Sequence, residues 1–126
     1  MRKALTKKQR AEIYAKCGGK CAYCGTELNG KFQADHVIPL DHAHRHKDKD
    51  LNHISNLMPS CAPCNNFKYV WGLEQFRRNL EEQVQRARQY SVNFRNAERF
   101  GLIIETKSKV TFYFERMRFE SGHETV

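Results

Sequence analysis

The sequence has no apolar run that approaches membrane-spanning length and no signal-peptide pattern. These two absences predict a soluble, cytoplasmic protein with no membrane partner. No internal repeat or linker interrupts the 126 residues, so we expect one domain over residues 1–126. Because only 40% of this short chain is hydrophobic, the core that it can bury is small. We therefore expect an additional link within the chain that stabilises the fold.

Acidic residues are scarce relative to basic ones. The 14 Asp and Glu residues face 22 Lys and Arg residues, which gives a net charge of +8. This balance favours a polyanionic partner, because lysines and arginines that neutralise phosphates release condensed counterions. The excess is strongest in the first twenty residues, where Glu12 is the only acidic residue. That segment is either a solubilising basic arm or a phosphate-contacting one.

The five cysteines include two pairs with the same two-residue gap, Cys21 with Cys24 and Cys61 with Cys64. In a reducing compartment, Cys-x-x-Cys pairs hold metal more often than they form disulfides. We therefore predict that these four residues bind one structural Zn2+. Cys17 either replaces a ligand in this cluster or is a small buried apolar residue. The Cys-x-x-Cys spacing of the two pairs is the tighter metal-binding geometry, which favours the second interpretation.

Local patterns predict a helix and a strand in the first half of the chain. Thr6 followed by Gln9 is a capping-box pair, which begins a helix over about residues 7–16. Residues 31–38 have a strand-like pattern that ends at Pro39, which has no amide donor.

The second half of the chain is predicted to be mostly helical. Residues 41–53 lack apolar periodicity and form a loop, whose histidines either add a ligand or a phosphate contact or are simply solvated. A helix begins near Pro63, since proline suits the first helical position. An amphipathic helical extension covers about residues 72–100, with a break near Ser91. Residues 102–118 are predicted to form a C-terminal β-hairpin.

A further group of polar residues lies between and after the cysteine pairs: Asp35, His36, Asn56, Asn65 and Lys68. With the two pairs, this pattern over roughly residues 17–70 resembles the zinc-stapled branch of the HNH endonuclease family. Small stand-alone proteins of this kind often come from phage. The resemblance implies a ββα-metal core, so the expected fold class is α+β: this core with its four-cysteine zinc site, flanking helices and the C-terminal hairpin.

The resemblance also implies a role for each of these residues. His36 is expected to be the general base, and an imidazole that titrates near neutrality suits that task. Asp35 and Asn65 are expected to hold a catalytic Mg2+ or Mn2+, since hard ions prefer oxygen donors. Asn56 is expected to orient the histidine by hydrogen bonds in the loop after the strand. Lys68 is expected to contact a phosphate.

The expected function is therefore metal-dependent hydrolysis of phosphodiester bonds in double-stranded DNA. The basic composition fits either weak sequence preference or targeting by a protein partner. Two alternatives are kept beside this hypothesis. The first is a zinc-stabilised nucleic-acid-binding module without turnover. The second is a protein-interaction module that uses the helix over residues 73–94 or the final hairpin as its contact surface.

Overall fold

The computed structural model describes residues 4–120. Arg2 and Lys3 of the basic N-terminal segment lie outside this range, as does His123, to which we assign no role. The described residues form two compact units. One unit consists of the residues up to Leu73 together with those from Thr111 onward, and the other of Glu74–Val110. Within residues 4–120, no helix has the length and apolar character needed to cross a membrane.

Helix α1 spans Lys7–Ala15, as the capping box predicts. The Thr6 hydroxyl accepts a hydrogen bond from the Gln9 amide, and the Gln9 side chain accepts one from the Thr6 amide, both at 3.0 Å. These two bonds satisfy amides that a helix start otherwise leaves unpaired. Ile13 is fully buried and anchors the helix in the core of the first unit.

A two-stranded sheet followed by a helix forms the centre of the first unit. Strand β1 spans Gln33–His36, strand β2 spans Leu57–Ser60 and helix α2 spans Ala62–Lys68. The strands are antiparallel, with His36 opposite Leu57. The predicted loop between them contains two 3-10 turns. This order of two strands and a helix confirms the expected ββα core and the α+β class.

The second unit contains short helices instead of one long one. Helix α3 begins at the border and spans Leu73–Glu81, followed by α4 (Gln83–Tyr90) and α5 (Val92–Arg99). The predicted break near Ser91 is confirmed, because its hydroxyl accepts a hydrogen bond from the Phe94 amide and caps α5. The additional break after α3 was not predicted.

An arginine in α4 neutralises part of the charge of the second unit. Arg88 lies 2.6 Å from a carboxylate oxygen of Glu98 and 2.7 Å from one of Glu105. These contacts raise the pKa of Arg88 and lower that of Glu98. Arg77 and Arg86 likewise pair with Glu74 and Glu82, so the arginines of this unit are partly balanced by their own acidic neighbours.

The predicted C-terminal hairpin over residues 102–118 is wrong. Residues 103–112 contain no strand, and helix α6 spans Tyr113–Glu120. The alternating apolar residues before this helix fit a strand when the sequence is considered alone. However, the Glu115 carboxylate accepts a hydrogen bond from the Phe112 amide at 2.8 Å, and this contact caps a helix start.

The segment at the start of α6 packs on the first cysteine pair, and this packing also explains why no hairpin forms. The amides of Tyr113 and Phe114 donate to the carbonyls of Tyr23 and Ala22, at 3.0 and 2.9 Å. Both amides are therefore already used and cannot pair with a second strand. The rings of Phe112 and Phe114 meet the Tyr23 ring edge-on, with centroids 5.3 and 6.3 Å away.

We expect Phe112→Ala to lower the free energy of unfolding by roughly 3–5 kcal/mol, because it leaves a cavity at a fully packed site. Chemical denaturation of the zinc-loaded protein measures this loss. Phe100 is 80% exposed, so Phe100→Ala is the matched control and should change stability by less than about 0.5 kcal/mol. Equal losses in the two variants would contradict the core position of Phe112.

Candidate metal centre and active site

Four cysteine sulfurs meet between the first cysteine pair and the start of α2. The Sγ atoms of Cys21, Cys24, Cys61 and Cys64 lie within 4.8 Å of one another, and those of Cys24 and Cys61 are 3.8 Å apart. A tetrahedron with zinc–sulfur bonds of about 2.3 Å has edges of about 3.8 Å, so this spacing suits zinc. These four residues can therefore hold a structural zinc ion.

Backbone geometry around the first pair points amides toward its sulfur. The Tyr23 amide donates to Cys21 Sγ at 3.4 Å, and the chain then turns back through Gly25, whose φ is +80°. Few side chains tolerate that conformation, which explains the glycine. The Ala22 amide donates to the Pro59 carbonyl at 2.8 Å. The turn that carries Cys21 and Cys24 is thus joined to β2 by this hydrogen bond as well as through the four-sulfur cluster.

Cys17 differs from the four clustered cysteines in its position. Cys21 and Cys64 share a hydrogen bond, which lowers the pKa of the Cys21 thiol and raises that of the Cys64 thiol. Cys17 is 2% exposed and lies outside the four-sulfur cluster. Burial raises the pKa of its thiol to about 11, so it stays protonated. The interpretation of Cys17 as a small buried residue is confirmed.

A cleft of about 270 Å³ lies beside the end of β1. Three of the predicted site residues line it, namely Asp35, His36 and Asn65. Neighbouring residues of a strand point to opposite faces, so Asp35 and His36 can share a cleft only where the strand ends. β1 does end at His36, which allows this arrangement. Asp41 and Tyr69 also line the cleft, although the sequence did not single them out for this site.

Two buried side chains hold the carboxylate of Asp35. The Tyr23 hydroxyl donates to Oδ2 at 2.5 Å, and the Lys68 ammonium lies 3.1 Å from the same oxygen. Burial and the Asp35 charge raise the pKa of Tyr23, so the phenol keeps the proton that it donates. Both contacts are made to Oδ2. Oδ1 is therefore the oxygen that can bind a cation.

Lys68 does not lie where a phosphate contact requires it. Its side chain is 0% exposed, and its ammonium donates to the His36 carbonyl at 2.9 Å in addition to pairing with Asp35. A fully enclosed ammonium cannot reach a bound phosphate, so the structure corrects this expectation. The spacing places Lys68 on α2 but carries no information about whether its long side chain points inward.

The ring of His36 has a partner that the sequence did not reveal. His36 Nε2 and Asn52 Oδ1 are 2.9 Å apart. An amide oxygen at this distance favours the tautomer with the proton on Nε2, in which Nδ1 is the basic nitrogen. Asn52 lies in the loop before β2, and no motif in the sequence marks it.

Asn56 holds the backbone of the histidine loop instead of the ring. Its Oδ1 accepts a hydrogen bond from the Ile38 amide at 2.9 Å, and its Nδ2 donates to the carbonyls of Ile38 and Leu51 at 3.0 and 2.8 Å. It thereby clamps the chain two residues after His36. This agrees with the expected hydrogen bonding in the loop, while the direct contact to the imidazole comes from Asn52.

Asn65 lies near the middle of α2 and presents an amide to the cleft. Its Nδ2 donates to the side chain of Gln33 on β1, so its Oδ1 is the atom that can bind a hard cation. Asp41 adds a second carboxylate to the wall of the cleft. The wall of the cleft thus carries carboxylate and amide oxygens beside an imidazole, and hard divalent ions prefer oxygen donors of these types.

Fold and site together define a small ββα domain with four clustered cysteines that can hold a metal ion. The HNH endonuclease family model matches residues 21–69, which include both cysteine pairs, both strands and most of the cleft wall. Residues 21–69 are therefore similar to an HNH endonuclease domain. No curated protein and no solved structure matched it. This similarity indicates a nuclease-type function, and HNH nucleases act on DNA.

We expect the purified protein to contain one zinc ion per chain and to unfold when that ion is removed. Structural zinc contributes on the order of 10–16 kcal/mol in small modules, which matches or exceeds the stability of a typical domain. Elemental analysis and circular dichroism before and after strong chelation test this. Cys64→Ser should lose the zinc, whereas the control Cys17→Ser should keep it. A folded, zinc-free protein would refute the assignment of four ligands.

We also expect Lys68→Met to lower the free energy of unfolding by about 3–5 kcal/mol, because it leaves Asp35 buried without a cation. Urea denaturation of the zinc-loaded protein gives the value. Lys31 is exposed, so Lys31→Met should have an effect below about 0.5 kcal/mol. Adding Asp35→Leu to Lys68→Met should recover part of the loss. A loss as small as that of Lys31→Met would rule out a buried ion pair.

Proposed function

We propose that this protein is a metal-dependent endonuclease that hydrolyses phosphodiester bonds of double-stranded DNA. The observation that supports it is the meeting of an imidazole and two oxygen donors in one cleft, His36 with Asp35 and Asn65. A zinc-binding module that only binds nucleic acid does not need this combination. Metal-assisted hydrolysis of a phosphodiester with a general base does need both the imidazole and the oxygen donors.

In the proposed reaction, His36 takes a proton from the attacking water at Nδ1. The hydrogen bond of Nε2 to Asn52 keeps the ring in the tautomer that this step needs. The clamp of Asn56 on Ile38 holds the loop, so the imidazole stays at the end of β1. The expected products carry a 5′-phosphate and a 3′-hydroxyl.

Asp35 and Asn65 would hold the catalytic Mg2+ or Mn2+ through their Oδ1 atoms. Such an ion, when bound, acts as a Lewis acid that stabilises negative charge on the phosphate and the leaving oxygen. The task of Asp35 is to present a single oriented oxygen, because Tyr23 and Lys68 occupy the other. Asn65 adds a neutral donor from α2.

The basic residues of α1 are proposed to approach the DNA backbone. Lys7 and Lys8 are exposed, whereas Lys16 donates to the carbonyls of Ile54 and Leu57 and is used within the fold. We also propose a cytoplasmic location, because the four thiols must stay reduced to bind zinc. A phage origin and targeting by a protein partner stay predictions.

Supercoiled plasmid with Mg2+ should be converted to nicked or linear DNA by the wild-type protein. His36→Ala should slow this by a factor of about 10²–10⁴, the usual contribution of a general base, while DNA binding in a gel-shift assay persists. His44→Ala is the matched control, since His44 is exposed and is not part of the cleft wall. It should cut like the wild type.

Other results of the same assay favour other functions. Equal cleavage by wild type and His36→Ala would remove His36 from the mechanism. Binding without cleavage in either Mg2+ or Mn2+ would support the nucleic-acid-binding module. DNA that is neither cut nor shifted, while one protein co-purifies in fixed stoichiometry, would support the protein-interaction module.

A further inference from the structure

We propose that Tyr23, which lies between the first two zinc ligands, is a positioning residue for the metal-binding carboxylate of the cleft. This inference rests on the endonuclease function proposed above. Through its hydroxyl, the zinc knuckle would set the orientation of Asp35, and with it the affinity of the cleft for its divalent ion.

Both the backbone and the side chain of Tyr23 make contacts that fix its position. Its amide donates to Cys21 Sγ at 3.4 Å, and its carbonyl accepts from the Tyr113 amide at 3.0 Å. Its ring packs edge-on against Phe112 and Phe114, and the residue is only 3% exposed. The hydroxyl at the end of this fixed side chain therefore has a defined position, 2.5 Å from Asp35 Oδ2.

A carboxylate needs more than one contact to present a chosen oxygen. The ammonium of Lys68 is a point charge with no directional preference, so its charge alone does not decide which oxygen of Asp35 it pairs with. The phenol of Tyr23 is a directional donor on a packed ring, so it selects Oδ2. With both contacts on Oδ2, Oδ1 is the oxygen left for an ion in the cleft that Asp35 lines. Partners of this kind behind metal ligands commonly change metal affinity or activity by roughly 10–100-fold when they are removed.

The support for Tyr23 comes partly from outside the segment that matches the HNH family. That match ends at residue 69, whereas Phe112, Tyr113 and Phe114 lie at the start of α6. These residues contact Tyr23 but do not line the cleft. Phe112, Tyr113 and Phe114 thus support the Asp35 carboxylate through Tyr23.

The test compares Tyr23→Phe with the wild type in the zinc-loaded full chain. We expect the Mn2+ concentration for half-maximal plasmid cleavage to rise about tenfold, with cleavage restored at high Mn2+. Electron paramagnetic resonance should show a matching loss of Mn2+ affinity without DNA, while zinc content stays at one per chain. Tyr14→Phe is the control, since the Tyr14 hydroxyl accepts from the Gly30 amide at 3.0 Å and does not line the cleft. It should leave the Mn2+ dependence unchanged.

Three results would overturn the inference. The first is an unchanged Mn2+ dependence in Tyr23→Phe. The second is a loss of zinc or of cleavage that excess Mn2+ does not restore, because Tyr23 would then have only a structural role. The third is an equal shift in Tyr14→Phe. If the wild type fails to cut DNA, the proposed function fails, and weaker Mn2+ binding by Tyr23→Phe would still support the positioning role.

Discussion

The four-sulfur site is the constraint on which the first unit depends. It joins a knuckle near the start of the chain to the start of α2, and a core this small needs such a link. Asn65 and Lys68 lie on α2, whereas Tyr23 lies between the first two cysteines of the site, Cys21 and Cys24. Residues on both sides of the sulfur site therefore contact β1. A metal bound only by sulfur can in this way decide where oxygen donors lie.

The buried pair of Lys68 and Asp35 is better explained by orientation than by stability. Taking both charges out of water costs several kcal/mol per ion, and such pairs contribute little net stability relative to apolar replacements. What the pair does achieve is to connect α2 to β1 and to occupy one oxygen of Asp35. Its second contact, to the His36 carbonyl, holds the neighbouring residue of the strand as well.

The sequence predicted those features whose signal is local. Cysteine spacing marks the sulfur site, and Thr6 with Gln9 marks the start of α1, since each pattern lies within a few residues. The failures depend on distant neighbours. Residues 110–114 alternate like a strand, but contacts to Tyr23 and a helix-capping carboxylate decide their structure. Likewise, Asn52 lies sixteen residues from the histidine that it contacts, and no spacing rule connects them.

The donor set of the cleft has a consequence for how a cation would bind in the proposed mechanism. Asp35 already shares its charge with Lys68, Asn65 is neutral and the charge of Asp41 is exposed to solvent, so the protein attracts a divalent ion only weakly by charge. Mg2+ is commonly bound through one or two carboxylates together with substrate phosphates. An oriented but half-neutralised carboxylate suits such a site, because the phosphate of the DNA then supplies the missing negative charge. Ion and substrate would accordingly bind together more tightly than either alone.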